Sequence, residues 1–372
     1  MKKSIKIFYK THNHILQLKN FMNILLSPLH KNPLKTLQLL TATFVDIRKP
    51  VLCELARQLP VPVKFKTNLN RLWRFFAKSK FTLEDAYAGI IPYFLEWLKS
   101  RKYLEILIDW TKVGNYSVLY LSLPYQKRAI PLFWRVVDYL NDEHWQNRVE
   151  RECLGVFISL VPQYLWRQIV IVADRGFGKV EFIKFLKGLG VNFVIRVKGD
   201  VWVKYGRFSG CIKGMRLGKN ETMWWQEVLY HKVVQERINL VLRYDSNDPW
   251  YLVTDLADSE EVIAIYGHRM RIEESFRDFK NERYFSLRAA GLKGVVKMEK
   301  LILVAVVAYM FVILLGAVSE RIKEFIDLVS MVKKGNKKLL SSFRLGLELL
   351  NKLDLSKYPW LFHFKKLCPT ES

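Results

Sequence analysis

The chain has 372 residues, half of them hydrophobic and 26% charged, which excludes a disordered protein and leaves room for two or three domains with a large packed core. Its 60 Lys and Arg against 35 Asp and Glu leave a net charge of +25, a surplus that repels itself unless a polyanion such as nucleic acid neutralises part of the surface. Four cysteines, Cys53, Cys153, Cys211 and Cys368, stand singly, which excludes a paired zinc framework and suits a reducing compartment.

The opening run, MKKSIKIFYKTHNHILQLKNFMNILL, is basic, but Lys, Asn and Gln interrupt any apolar stretch long enough for a secretory core. A cytoplasmic location is therefore expected. Residues 34 to 100 follow the 3.6-residue apolar period of helices, broken at Pro60 and Pro62. Within them, Asn70-Arg71-Leu72-Trp73-Arg74-Phe75-Phe76-Ala77-Lys78 interleaves basic and aromatic residues. That pattern suits a helix against a DNA groove and equally an amphipathic helix with a solvated basic face. Residues 1–100 are read as an N-terminal helical DNA-binding domain.

From Leu104 the texture turns to strands. Leu104 to Asp109, NYSVLYLSL and AIPLFWRVV read as three neighbouring antiparallel strands, followed by a helix over 142–160. A fourth strand, 168–173, ends at Asp174, and a helix over 179–189 leads to a fifth strand at 191–196. The order βββαβαβ predicts an α/β fold with a mixed sheet flanked by helices. Asp109 at the end of the first strand and Asp174 at the end of the fourth would emerge at one sheet edge, close enough to share metal ions. Singly, either is a common turn or capping residue. Asp174-Arg175-Gly176-Phe177-Gly178-Lys179 also lacks the full spacing of a nucleotide-binding glycine loop, so no nucleotide cofactor is expected.

Residues 197–258 are rich in strand formers, Trp, Gly and Lys, and read as a β-rich insertion into a catalytic domain spanning 101–320. One long helix then fits 259–282 and contains YGHRMRIEESFRDFK. On it Tyr266, Arg269 and Lys280 fall on a single stripe with Glu273, each within roughly 40° of it on a helical wheel, and Arg277 joins them. Ile272, Phe276 and Phe279 form a separate packing face, and Glu274 points about 100° away. A carboxylate with cations one turn to either side suits a metal ligand beside phosphate-holding groups, although i, i+4 salt pairs on a surface helix give the same spacing. The uncharged run LILVAVVAYMFVILLGAV at 301–318 reaches membrane-span length, but it is the single such run and follows a charged helix, so burial inside the fold is the favoured reading. Residues 321–372 form a basic, helical C-terminal segment that suits either dimerisation or closure of the fold.

The ungapped spacing Tyr-x2-Arg-x3-Glu-x6-Lys, carried by Tyr266, Arg269, Glu273 and Lys280, resembles the signature of DDE transposases of bacterial insertion sequences, specifically the insertion sequence four family. At roughly 5% per residue type, chance supplies it in only a few chains per thousand. The resemblance covers about residues 34 to 320 and implies an RNase H-like catalytic core. It implies Asp109, Asp174 and Glu273 as catalytic metal ligands for two Mg2+, with Mn2+ able to substitute. Tyr266, Arg269, Arg277 and Lys280 would contact DNA phosphates, and Trp250, heading WYLVT, is similar to the tryptophan that stabilises a DNA hairpin in relatives. Implied partners are terminal inverted repeats, target DNA and a second protomer in a synaptic complex, in the nucleoid region of a bacterial cytoplasm. Cut-and-paste strand transfer is the expected reaction. An RNase H-like nuclease without strand transfer, an inactive DNA-binding protein and a membrane protein are the rivals.

Overall fold

The computed structural model describes residues 14–138, 145–215, 217–244, 248–329, 333–334, 337–338 and 340–358. The expected helix start at 142–144, the chain ends 1–13 and 359–372, and Cys368 lie outside them. The other three cysteines are free.

Five helices open the chain: α1 Ile15–Leu25, α2 Lys31–Ile47, α3 Leu52–Gln58, α4 Phe65–Lys78 and α5 Leu83–Trp97. Thr82 and Asp85 close a reciprocal capping box at the start of α5, satisfying donors that the first turn leaves open. In α4 the apolar residues Leu72, Phe75 and Phe76 are buried. Its basic residues Arg71, Arg74 and Lys78 line a cleft facing the start of α2.

The sheet begins with β1 Leu104–Val113, β2 Tyr116–Tyr125 and β3 Arg128–Asp138, then α6 Trp145–Leu160, β4 Ile169–Ala173, α7 Val180–Leu189 and β5 Asn192–Arg196. The first hairpin turns through Gly114 at φ +59°, a conformation that glycine adopts without a Cβ clash. Strand order β3-β2-β1-β4-β5, with β1 antiparallel to β2 and parallel to β4, gives a mixed α/β sheet consistent with an RNase H-like fold.

The insertion supplies β6 Trp202–Tyr205, β7 Phe208–Cys211, β8 Glu221–Tyr230 and β9 Glu236–Tyr244, and β10 Trp250–Thr254 returns to the core. These strands prolong the same sheet past β5 in the order β10-β9-β8-β6-β7, making ten strands in all. The physical hinge of this extension is β10, which pairs with β5 on one edge and β9 on the other. The Tyr230 hydroxyl, on β8, donates to the Gly178 carbonyl at 2.5 Å and ties the insertion to the loop after Asp174.

The long helix expected over 259–282 is two: α8 Ser259–Gly267 and α9 Met270–Lys280. At their joint the amides of His268, Arg269, Arg271 and Ile272 each bond only three residues back. His268 Nδ1 is held 2.7 Å from Glu105 on β1, a tertiary anchor that the helical pattern does not encode. The apolar helix α10, Val295–Ser319, passes through the middle of the protein, and every residue from Met298 to Ser319 is buried. It is the one helix among the described residues long and apolar enough to cross a membrane, and here it packs against protein on all sides.

After α11 Lys323–Asp327, the short ladder of β11 Lys333–Lys334 and β12 Lys337–Lys338 leads to α12 Ser342–Lys352. The α10–α12 crossing is close because both helices offer a glycine. A Cβ on Gly316 would lie 1.8 Å from the Ser342 carbonyl oxygen, and one on Gly346 would lie 2.0 Å from that of Val312. Phe343, Leu345, Leu347 and Leu349 of α12 are buried in the core that α10 runs through.

Candidate active site

Parallel pairing of Ile108 with Ala173 brings the next residues of each strand, Asp109 and Asp174, to one sheet edge. Contrary to the expectation that Asp109 ends its strand, β1 continues to Val113. Antiparallel pairing with β2 persists after β4 has stopped, so Asp109 stands at the point where β1 loses its parallel neighbour. Asp174 instead turns the chain: its Oδ1 accepts the Gly176 amide at 2.8 Å and caps a short 3-10 turn.

Glu273 comes from α9, whose buried residues Ile272, Phe276 and Phe279 form the predicted packing face. Tyr120 of β2 meets Phe276 at 5.4 Å, and Tyr309 of α10 meets Phe279 at 4.8 Å. The polar side of the same buried surface is clamped too. Asp278 accepts from Arg128 Nε at 2.7 Å and from the Tyr309 hydroxyl at 3.4 Å. Ser275 Oγ both accepts from the Ala129 amide at 2.8 Å and donates to its carbonyl at 2.9 Å. These contacts fix the rotation of α9, and with it the direction in which Glu273 points.

Arg269 joins the acidic residues. Its guanidinium lies 3.4 Å from Asp109 Oδ2 through Nη1 and 2.5 Å from Glu273 Oε1 through Nη2. Burial pushes the Asp109 carboxyl up to about 6, Arg269 opposes that rise, and the negative charges of Asp174 and Glu273 add to it. Three carboxylates thus share one electrostatic neighbourhood.

Lys280 donates to the Thr111 hydroxyl on β1, and burial together with Arg288 lowers the pKa of its amine. Glu273, Phe276, Arg277, Lys280, Asn281 and Arg288 line a cleft of about 500 Å³. Arg277 stands at the rim, where its exposed side chain pairs with Glu274 at 2.5 Å. Glu274 also approaches Arg128 at 3.8 Å, so it serves the α9 clamp and not the acidic group.

Tyr266, 5% exposed, lies across the helix joint from the stripe drawn on a continuous helix. Its ring meets Trp250 edge-on at 4.9 Å. Trp250 itself is half-buried at the head of β10, opposite Arg243 of β9.

Two residues beside the candidate site were missed by the sequence reading. Arg288 lies beyond the signature helix. Glu150 of α6 is buried, accepts the Trp110 indole N–H at 2.8 Å and has a carboxyl pKa raised by burial. A buried Glu in an amphipathic helix, five residues after Trp145, is the faint sign that could have marked it.

The carboxylate donors have the chemistry of a site for a hard divalent cation. Among the described residues no three acidic, His or Cys side chains already close around a metal position, and Arg269 holds two of the three carboxylates instead. By donor chemistry alone, Asp109, Asp174 and Glu273 suit such an ion.

Residues 145–311 match the family model described as a transposase DDE domain. The match takes in Asp174, Trp250, Tyr266, Arg269, Glu273 and Lys280, and begins after Asp109. No curated protein matches the chain. The matched segment thus carries a transposase DDE domain, which indicates an enzyme of the polynucleotidyl transferase and DNA endonuclease class; enzymes with this domain generally use divalent metal ions.

Proposed function

We propose that this DDE transposase belongs to the insertion sequence four family and moves its element by cut-and-paste transposition, with Asp109, Asp174 and Glu273 as catalytic carboxylates. The observation that carries the reading is the convergence of Asp109 on β1 and Glu273 on α9 at a single guanidinium, with Asp174 as a like-charged neighbour. These three would hold Mg2+ or Mn2+, which supplies a nucleophilic water at neutral pH and neutralises charge on the transferring phosphate.

Water attacks the phosphodiester at the element end, leaving a 3′ hydroxyl. That hydroxyl attacks the opposite strand and closes a hairpin, and a second water reopens it. The freed 3′ hydroxyl then attacks target DNA. Each step exchanges one P–O bond for another, so positioning and charge stabilisation suffice. Lys280, Arg269, Arg277 and Tyr266 would orient the phosphates. Support for DNA engagement also comes from the cleft of about 1140 Å³ between α2 and α4, lined by Lys31, Arg71, Arg74, Lys78 and Lys80 with no carboxylate among its lining residues. Two protomers would hold two terminal repeats, in the nucleoid region of a bacterial cytoplasm.

Two outcomes test this reading. If Trp250 leaves Tyr266 to stack on a base flipped from the hairpin, a contact worth roughly 1 to 3 kcal/mol, Trp250→Ala should nick normally yet close hairpins about five- to 150-fold more slowly. A time course on a denaturing gel resolves the species. Equal slowing of every step, with a lowered melting temperature, would assign Trp250 to packing alone. The second outcome concerns pH. Because the metal-free protein keeps a proton on Asp109 up to about 6, an incoming ion must displace it below that pH. Mn2+ affinity should therefore fall as pH drops from 7.5 to 5.5. A flat profile over that range would remove Asp109 from the ligand set.

A further inference from the structure

We propose that Arg269 is an internal counter-ion that keeps divalent metal out of the acidic site until a phosphate of bound DNA draws its guanidinium away. The inference rests on the active-site reading above and concerns how that site is regulated.

The geometry makes guanidinium and metal alternatives. Arg269 Nη1 faces Asp109 Oδ2 and Nη2 faces Glu273 Oε1, so one side chain spans a carboxylate from the sheet and a carboxylate from the helix. Its side chain is only 12% exposed, so the charge sits among these groups and not in bulk water. A divalent ion ligated by the same two oxygens would meet a positive charge at contact distance. The two occupants exclude one another.

The guanidinium needs an equally good partner in order to leave. A phosphate is one, because the same planar fork that spans carboxylates matches phosphate oxygens. The site for that phosphate adjoins the lock. Glu273, which holds Arg269, also lines the cleft that carries Lys280, Arg277 and Arg288. A DNA strand seated there brings anionic oxygens beside Arg269 and offers it a second partner, freeing Asp109 and Glu273 together. Reciprocity follows from linkage: if DNA tightens metal binding by some factor, metal tightens DNA binding by the same factor. Hydrolytic capacity is thereby confined to protein that already carries DNA.

The test is a Mn2+ titration of the full chain without DNA at pH 7.5, with free Mn2+ read by electron paramagnetic resonance. Arg269→Gln should bind Mn2+ about five- to 150-fold more tightly than the wild type, the usual span of such couplings. Adding a duplex that carries the element's own terminal repeat should tighten Mn2+ binding by a similar factor in the wild type and leave Arg269→Gln unchanged. Equal or weaker Mn2+ binding by Arg269→Gln, with a wild-type melting curve, would overturn the lock, as would an equal effect of DNA on both proteins. If Arg269→Gln does not fold, Arg269→Lys takes its place, since it keeps the charge but cannot fork two carboxylates. Tighter Mn2+ binding by that variant supports the lock, and unchanged or weaker binding overturns it. Asp109→Asn, titrated with the terminal-repeat duplex bound so that the site is open, separates the lock from the site: if it then still binds Mn2+ like the wild type, the acidic-site reading itself fails.

Discussion

Asp109→Ala, Asp174→Ala and Glu273→Ala should each lose DNA nicking by about 10³-fold or more while keeping their affinity for the element's ends measured without divalent metal. Each would remove one of the proposed oxygen ligands, and charge stabilisation at a phosphoryl-transfer site is worth several kcal/mol, at about 1.4 kcal/mol per factor of ten. The basic surface is untouched. Binding by gel shift and nicking by labelled-strand release separate the two effects. Glu274→Ala is the comparison within the same helix, because Glu274 pairs with Arg277 and faces Arg128 rather than the acidic group. Nicking near the wild-type rate in any one of the three would remove that residue from the catalytic set.

The second large effect is expected at Asp278, which is 3% exposed and bound to Arg128 and Tyr309. Asp278→Ala leaves the Arg128 guanidinium without its closest carboxylate, beside the buried face of α9. Breaking a buried pair in this way costs about 3–5 kcal/mol, whereas an exposed pair is worth about 0–1 kcal/mol. The urea midpoint of the purified variant, taken at constant transition slope, gives the value. A loss near 1 kcal/mol would mean that α9 is held by its apolar face alone. Because the clamp sets the rotation of α9, metal uptake should weaken in the same variant even where it remains folded.

Much of this arrangement could be read from residues in order. Strand alternation from Leu104 onward, Asp109 within β1 and Asp174 just after β4, and the apolar face of Ile272, Phe276 and Phe279 all follow local periodicity, and the sheet and helices form accordingly. What local pattern could not carry was set by partners distant in sequence. At the break, His268 is anchored by Glu105, which is 163 residues away. Asp109 lies within its strand because β2 outruns β4, a matter of pairing length rather than composition. The insertion joins the main sheet because β10 accepts neighbours on both edges. A helical wheel drawn through residues 259–282 puts Tyr266 and Arg277 on the Glu273 stripe but cannot show the edge-on contact of Tyr266 with Trp250 or the pairing of Arg277 with Glu274. Arg288 and Glu150 had no motif to mark them and became visible only through the cleft and the Trp110 hydrogen bond.

The apolar run at 301–318 illustrates the same limit from the other side. Hydropathy alone gives a membrane span and a buried core helix one signature. Here α12, β3 and the N-terminal helices cover α10, and the glycines at 316 and 346 let two backbones approach closely enough to seal one side. The covering segments come from both ends of the chain, so the distinction required tertiary structure.

The central claim, transposition rather than simple hydrolysis, is tested most directly by strand transfer. The full chain is incubated with Mg2+, a labelled duplex carrying the element's terminal repeat and a supercoiled plasmid, and the DNA is resolved after deproteinisation. The account predicts labelled 3′ ends covalently joined to the plasmid, with joining lost in Glu273→Ala. Nicked or cleaved duplex with no joined product would contradict transposition and leave a nuclease of the same fold.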